Sequence, residues 1–350
     1  MVDEIFLLTL SWGILLLFVW AFRTLPAEGW QILACLPGRK RPDGTWNGIN
    51  LTYYGLFNAL AYVIAVAIFM LIIGSLGIAP SAALTVILPI LVIGMGASRY
   101  IARLVEKKPS TFSVGAASFV GIVIAPWTIL LVNMTLGKWW LFHFPMLETL
   151  AAMLIAYAFG EGIGRLACIS FGCCYGKPLS ECHALIQKIF RRRHFVFQGR
   201  IKKIHYADRL EGRPVVPVQA LTAVLYTGAG ILSFYLFLKG FSSAALLLVL
   251  LVTQSWRFVS EFLRADYRGQ SRVSAYQIMS LLAMGYILIL MFAYAQPQRV
   301  APALMKGFQL LWDPGLIIFL LVLGIVSFVY AGKSEVTNCT IDIHVVEKKT

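Results

Sequence analysis

The segment FGEGIGRLACISFGCCYGKP, Phe159 to Pro178, carries the features on which the reading of the chain turns. It begins inside an apolar run, yet it holds Glu161 and Arg165, four residues apart and so on one face of a helix. An ionisable pair at that depth is costly, and it marks either a functional position or a lock on helix packing. Gly160, Gly162, Gly164, Gly172 and Gly176 permit tight turns and close backbone approach to a ligand. Backbone N–H groups in such turns can cradle phosphate. Cys168, Cys173 and Cys174 crowd the same segment, with Cys182 and His183 further on. Their spacing departs from the closely paired cysteines of structural zinc sites. No metal and no cofactor is therefore expected. Small packing residues in a tight loop remain as one reading, and a thiol activated by nearby arginine as the other.

Outward from this segment the chain is apolar. Of 350 residues 59% are hydrophobic and 13% charged, against about 25% charged in a soluble domain. Nine apolar runs lie near 5–22, 53–75, 82–98, 113–134, 147–163, 217–238, 242–261, 275–294 and 314–332. Runs of about 20 residues match a hydrocarbon core about 30 Å thick. The expected fold class is an all-α polytopic membrane protein with about nine transmembrane helices. The first run follows Asp3 and Glu4 rather than a basic stretch, and is read as a retained helix. The long polar stretch 164–216 exceeds a simple connector and is expected to form an arm on the membrane surface.

The formal charge is +14. Such a balance in a soluble chain would suggest nucleic acid; here it is read as basic loops that set orientation and meet anionic lipid, with no nucleic-acid partner. With nine spans, one face carries 25 Lys and Arg residues and the other 4. That bias assigns the basic face to the cytoplasm, in a bacterial inner membrane.

A second constellation lies at Arg257, Glu261 and Arg264, whose spacings of four and three place them on one helical stripe. Arginine at that depth suits bidentate recognition of a phosphodiester, or pairing with Glu261; the plainer alternative is snorkelling to the interface. The five histidines fall in loops or the tail, and none is an evident general base.

At these residues the chain resembles the prolipoprotein diacylglyceryl transferase family. That family's signature reads G-R-x-G-N-F-x-N-G-E-x-x-G, and residues 164–176 keep Gly164, Arg165, Gly172 and Gly176 while losing both asparagines and the glutamate. The G-C-C-Y-G form looks like a cysteine-containing branch. Other landmarks follow in the family's order: Tyr53-Tyr54-Gly55-Leu56, Gly96-Ala97-Ser98-Arg99, Pro217-Val218-Gln219, Arg257 to Arg264, and Tyr276-Gln277. The family's catalytic His-Gly-Gly falls at Ser113-Val114-Gly115-Ala116, without a histidine, and Val216 stands where another histidine is usual.

The resemblance implies a seven-helix core over 46–295 with a surface arm at 177–215, plus an added helix and linker at 1–45 and an added helix and tail at 296–350. It implies transfer of a diacylglyceryl group from an anionic phospholipid such as phosphatidylglycerol to an acceptor that the sequence does not identify. Arg165, Arg257, Glu261 and Glu161 are expected to be catalytic. Tyr54, Arg99, Gly172, Cys168, Cys173, Cys174, Gly176, Gln219, Arg264 and Gln277 are expected to line the substrate site. A non-catalytic lipid-binding or scaffold protein on the same fold is the alternative. The family's site faces outward, whereas the charges here place the matching face inside, a reversal that one added N-terminal helix would produce.

Overall fold

The computed structural model describes residues 2–106, 114–266, 273–294 and 302–344. Ser113, the expected core boundary at 295, and Lys107, Lys108, Arg268, Arg272, Arg299, Lys348 and Lys349 of the charge balance lie outside the described residues. In chain order the elements are α1 (Val2–Thr24), β1 (Ile32–Lys40), β2 (Trp46–Thr52), α2 (Tyr53–Ser75), α3 (Pro80–Glu106), α4 (Val114–Met134), α5 (Leu136–Trp139) and α6 (Met146–Phe171). Then come α7 (Ala184–Phe190), β3 (Phe195–Val196), α8 (Lys203–Asp208), β4 (Pro214–Val215), α9 (Val218–Leu238), α10 (Ser242–Leu263), α11 (Ala275–Ala293), α12 (Leu304–Leu311), α13 (Pro314–Gly332) and β5 (Cys339–Ile341).

Among the described residues nine helices are long and apolar enough to cross a membrane: α1, α2, α3, α4 continued by α5, α6, α9, α10, α11 and α13. Their ends follow local chemistry. Ser274 and Gln277 form a capping box at the start of α11. Asp313 caps α13 with Pro314 at its first turn. Pro89 and Pro126 sit inside α3 and α4, which membrane helices tolerate when neighbours satisfy the freed carbonyls.

The helix α6 is the centre of the bundle, packed against α2, α9 and α10. Its glycines make this possible. Gly160 and Gly164 face Ala61 and Ala65 of α2, while on the other side a Cβ at Gly162 would lie 2.6 Å from Thr227 Cγ2 of α9. Small residues on two sides let both neighbours approach closely. At the periphery, α1 and α13 expose Trp12, Leu16, Ile325 and Val326, the pattern of a lipid-facing surface.

Alternating spans give two faces. Lys239 at the end of α9 pairs with Glu4 at the start of α1, 2.6 Å, and Ala303 N–H donates to Ser75 O beside α12. On the opposite face β1 and β2 form a hairpin, and β5 from the tail adds to β2. This sheet is an addition to the expected all-helical picture; it ties the linker after α1 to the tail after α13. The same face carries the arm, where Lys202 is wholly buried. Its Nζ donates to Leu25 O, 2.6 Å, and Ser170 O, 3.1 Å, satisfying last-turn carbonyls at the ends of α1 and α6.

Two expectations change. The expected span 147–163 runs on to Phe171, because Arg165 pairs with Glu161 one turn earlier and need not leave the bundle. Arg264 leaves the helical stripe. α10 ends at Leu263 and Arg264 is extended, because its strand-like segment pairs with the cysteine turn: Lys177 N–H donates to Leu263 O at 2.8 Å and Ala265 N–H to Tyr175 O at 3.1 Å.

Candidate active site

Four side chains of α6 lie at spacings of four, four and three: Tyr157, Glu161, Arg165 and Cys168. They share one face, and that face meets Arg257 of α10. Glu161 Oε1 accepts from Arg165 and also from Arg257 Nη2 at 3.4 Å. Arg257 Nη2 further donates to the Tyr157 hydroxyl at 2.9 Å. The side chains are nearly enclosed, with Glu161 4% exposed and each arginine 11%. One carboxylate therefore answers two guanidinium groups, leaving a formal surplus of one positive charge. The Nε of Arg165 and of Arg257 are buried without a hydrogen-bond partner, which is costly unless a ligand supplies the acceptor. Gly115 backs Arg257: a Cβ there would crowd the guanidinium and the Tyr276 ring.

Beyond Cys168 the helix closes with Gly172 at φ 67°. Gly172 N–H donates to Ile169 O and Cys173 N–H to Cys168 O, 3.0 Å, a Schellman termination. Cys174 is also left-handed, φ 58°, a conformation uncommon outside glycine. The two left-handed residues fold the chain back so that the sulfurs of Cys168, Cys173 and Cys174 all lie within 4.8 Å of one another. Gln219 holds the turn by donating from Nε2 to Cys173 O, 2.9 Å, and its Oε1 is buried without a partner.

Of these thiols, Cys174 is the one that favours charge. Hydrogen bonds from Cys168 and Cys173, then the fields of Arg264 and Arg165, pull it well below the usual thiol range. Hydrogen bonds with Cys168 and Cys174, then burial, push Cys173 up.

Arg264 is bidentate to Asp266, both bonds 2.7 Å. Glu261 Oε2 is buried without a hydrogen-bond partner. Tyr54 packs at a tilt against Phe171, the last residue of α6, ring centroids 5.4 Å apart. Gly176 lies against the Val216 backbone, so Gly172 and Gly176 serve chain reversal and packing. Two expected residues have other partners. Arg99 is exposed on α3 and donates to the Tyr330 hydroxyl of α13. Gln277 spends its amide on the α11 cap and on Phe258 O, 3.1 Å. Tyr157 and Lys202 were not anticipated. Tyr157 was signalled, being four residues before Glu161, whereas nothing local distinguishes Lys202 from the other basic residues of its arm.

The fold and site define a multi-pass helical bundle with a nearly enclosed arginine–carboxylate centre towards one end. The model of the prolipoprotein diacylglyceryl transferase family matches residues 45–294, and the chain belongs to that family. The family's activity is prolipoprotein diacylglyceryl transfer, and the chain is a multi-pass membrane protein with lipid substrates. A search of curated protein sequences finds no match.

Proposed function

We propose that the chain moves a diacylglyceryl group from an anionic glycerophospholipid, of the phosphatidylglycerol type, to an acceptor thiol. Arg165 and Arg257 hold the phosphate, Glu161 keeps the two guanidinium groups together, and Glu261 takes the acceptor's proton. The thiolate sulfur attacks the glyceryl carbon that bears the phosphate oxygen. A C–S bond forms as the C–O bond breaks, and the electron pair leaves with the glycerol phosphate, whose second negative charge develops beside the guanidinium groups. Donors already aimed at developing charge in an enclosed site are typically the largest catalytic contribution. The reading takes 46–295 as the transferase core and the basic, site-bearing face as cytoplasmic in a bacterial inner membrane. Its acceptor is then a thiol available on that side.

The observation that carries this is the surplus charge: two nearly enclosed arginines on one carboxylate, each with an unpartnered Nε. Lipid retention tests it. The purified protein is reconstituted in mixed phosphatidylglycerol and phosphatidylethanolamine, then delipidated mildly and analysed by mass spectrometry. Selective retention of phosphatidylglycerol that fails in Arg257→Ala is expected; equal retention of both lipids by the unsubstituted protein would remove the preference for an anionic donor, and undiminished retention of lipid by Arg257→Ala would remove the phosphate-holding role. A second reading, lipid binding without turnover, is favoured by the missing histidine at Ser113 and Val216. It predicts that retained phosphatidylglycerol is never consumed when thiols are supplied.

A further inference from the structure

The three sulfurs of the cysteine turn are not arranged as ordinary packing residues. Cys168 presents its thiol from the last turn of α6, and the turn that follows brings Cys173 and Cys174 back onto it through left-handed backbone at Gly172 and Cys174. A non-glycine residue held left-handed is uncommon, and such conformations concentrate where geometry is used. Gln219 of α9 and the Gly176–Arg264 bridge, formed by the extended segment after α10, fix the turn from two other parts of the chain. The outcome is three soft donors on one side of a small volume, every sulfur within 4.8 Å of the others.

We infer that Cys168, Cys173 and Cys174 form a binding site for a thiophilic d10 cation, Zn²⁺ being the natural occupant. Tetrahedral zinc with bonds of about 2.3 Å separates its sulfurs by roughly 3.8 Å, so small side-chain rotations close the present triangle around an ion. The linear spacing departs from that of four-ligand structural zinc sites. The fold supplies three ligands, and no fourth His, Cys, Asp or Glu joins the cluster among the described residues. Cys182 stays apart, its sulfur directed to Pro178 O at 3.4 Å. Three protein ligands plus an open position is the pattern of zinc sites that take an exogenous ligand. Binding releases a proton from each protonated thiol, and a zinc tris-thiolate carries one net negative charge. Arg165 and Arg264 stand close enough to the thiols to offset it electrostatically.

The ion site stands on this geometry alone. Its use, which rests on the proposed transfer, is to take the acceptor thiol in the open position: the thiol gives its proton to Glu261, and the zinc-bound sulfur then stays deprotonated at neutral pH. No oxidant or reductant is involved.

The test uses the full chain, purified in detergent without chelator, loaded with Zn²⁺ and desalted. Elemental analysis should give one zinc per chain, lost in Cys168→Ser, Cys173→Ser and Cys174→Ser and kept in Cys182→Ser. Alkylation of the unsubstituted protein is a check that needs no variant: zinc should protect Cys168, Cys173 and Cys174 from N-ethylmaleimide, read by peptide mass spectrometry, while Cys35 and Cys182 stay reactive. Far less than one zinc per chain after loading, with all three thiols alkylated as fast as without zinc, would overturn the site. Transfer assayed on the same samples separates the two ideas. Zinc bound without transfer leaves the site and removes its proposed use; transfer at full rate without zinc removes that use and leaves the lipid reading.

Discussion

At Glu161 one carboxylate serves two guanidinium groups, and the balance is set by three residues that no loop can rearrange. A lysine at Arg165 would keep the charge and lose the planar fork that lets one side chain meet Glu161 and a phosphate together. Lys202 shows a different use of buried charge. Burial, opposed by the field of Glu28, brings its ammonium from 10.5 down to about 8. The unfolded chain then keeps this proton over a pH range in which the folded one has lost it, so stability rises with pH through that window. Thermal unfolding in one detergent should show the midpoint climbing as pH passes from about 8 towards 10.5, relative to Lys202→Met, in which this slope disappears. A parallel dependence in both proteins would show that Lys202 is not the titrating group.

Among elements, α6 carries the site and its packing decides whether the site forms. Gly162→Leu would drive a side chain into Thr227 and the Ala223 carbonyl. Overpacking of this kind costs about 1–3 kcal/mol and would separate α6 from α9, so both the unfolding midpoint and transfer should fall. Gly285→Ala in α11, where a Cβ meets nothing within 4 Å, should leave both unchanged. An unaltered midpoint in Gly162→Leu would show that this approach is not tight. The spans were legible because a run of about 20 apolar residues has few other uses, and the 314–332 span coincides with α13. The β1–β2–β5 sheet was not, since β1 mixes apolar and basic residues, is mostly exposed, and takes its third strand from the distant tail. Arg264 falls off the expected helical stripe because a ladder with Tyr175–Lys177 takes the chain just past Leu263, and no spacing reveals a partner that remote. Gln277 is the opposite case. Ser274 three residues earlier is a capping-box signal readable in the sequence, and it accounts for the glutamine without a ligand.

Taken whole, the molecule has its arginine centre, cysteine turn, arm and sheet towards one face, and Glu4, Lys239 and the exposed Trp139, Trp140 and Leu141 towards the other. That Glu161 and Arg165 belong together was readable from their spacing; that Arg257 joins them, and that three sulfurs converge, depends on contacts between distant segments. The proposed sidedness rests on the charge bias and is open to direct labelling. With Cys35, exposed on the sheet, as the sole cysteine, a membrane-impermeant maleimide should react only after cells are broken. With a sole cysteine at Leu141 it should react in intact cells. The reverse pattern would turn the site outward and make exported lipoproteins its acceptors.

The account's central claim is that Arg165 and Arg257 hold the phosphate that departs during transfer. It is met most directly by following the release of glycerol phosphate from headgroup-labelled phosphatidylglycerol in proteoliposomes supplied with a cysteine peptide on the site-bearing side. The unsubstituted protein should release it, and Arg165→Ala, shown to be folded by its unfolding midpoint, should be slower by about 10²–10³-fold, the loss typical of removing a donor to developing charge. Release by Arg165→Ala at the full rate would contradict the account.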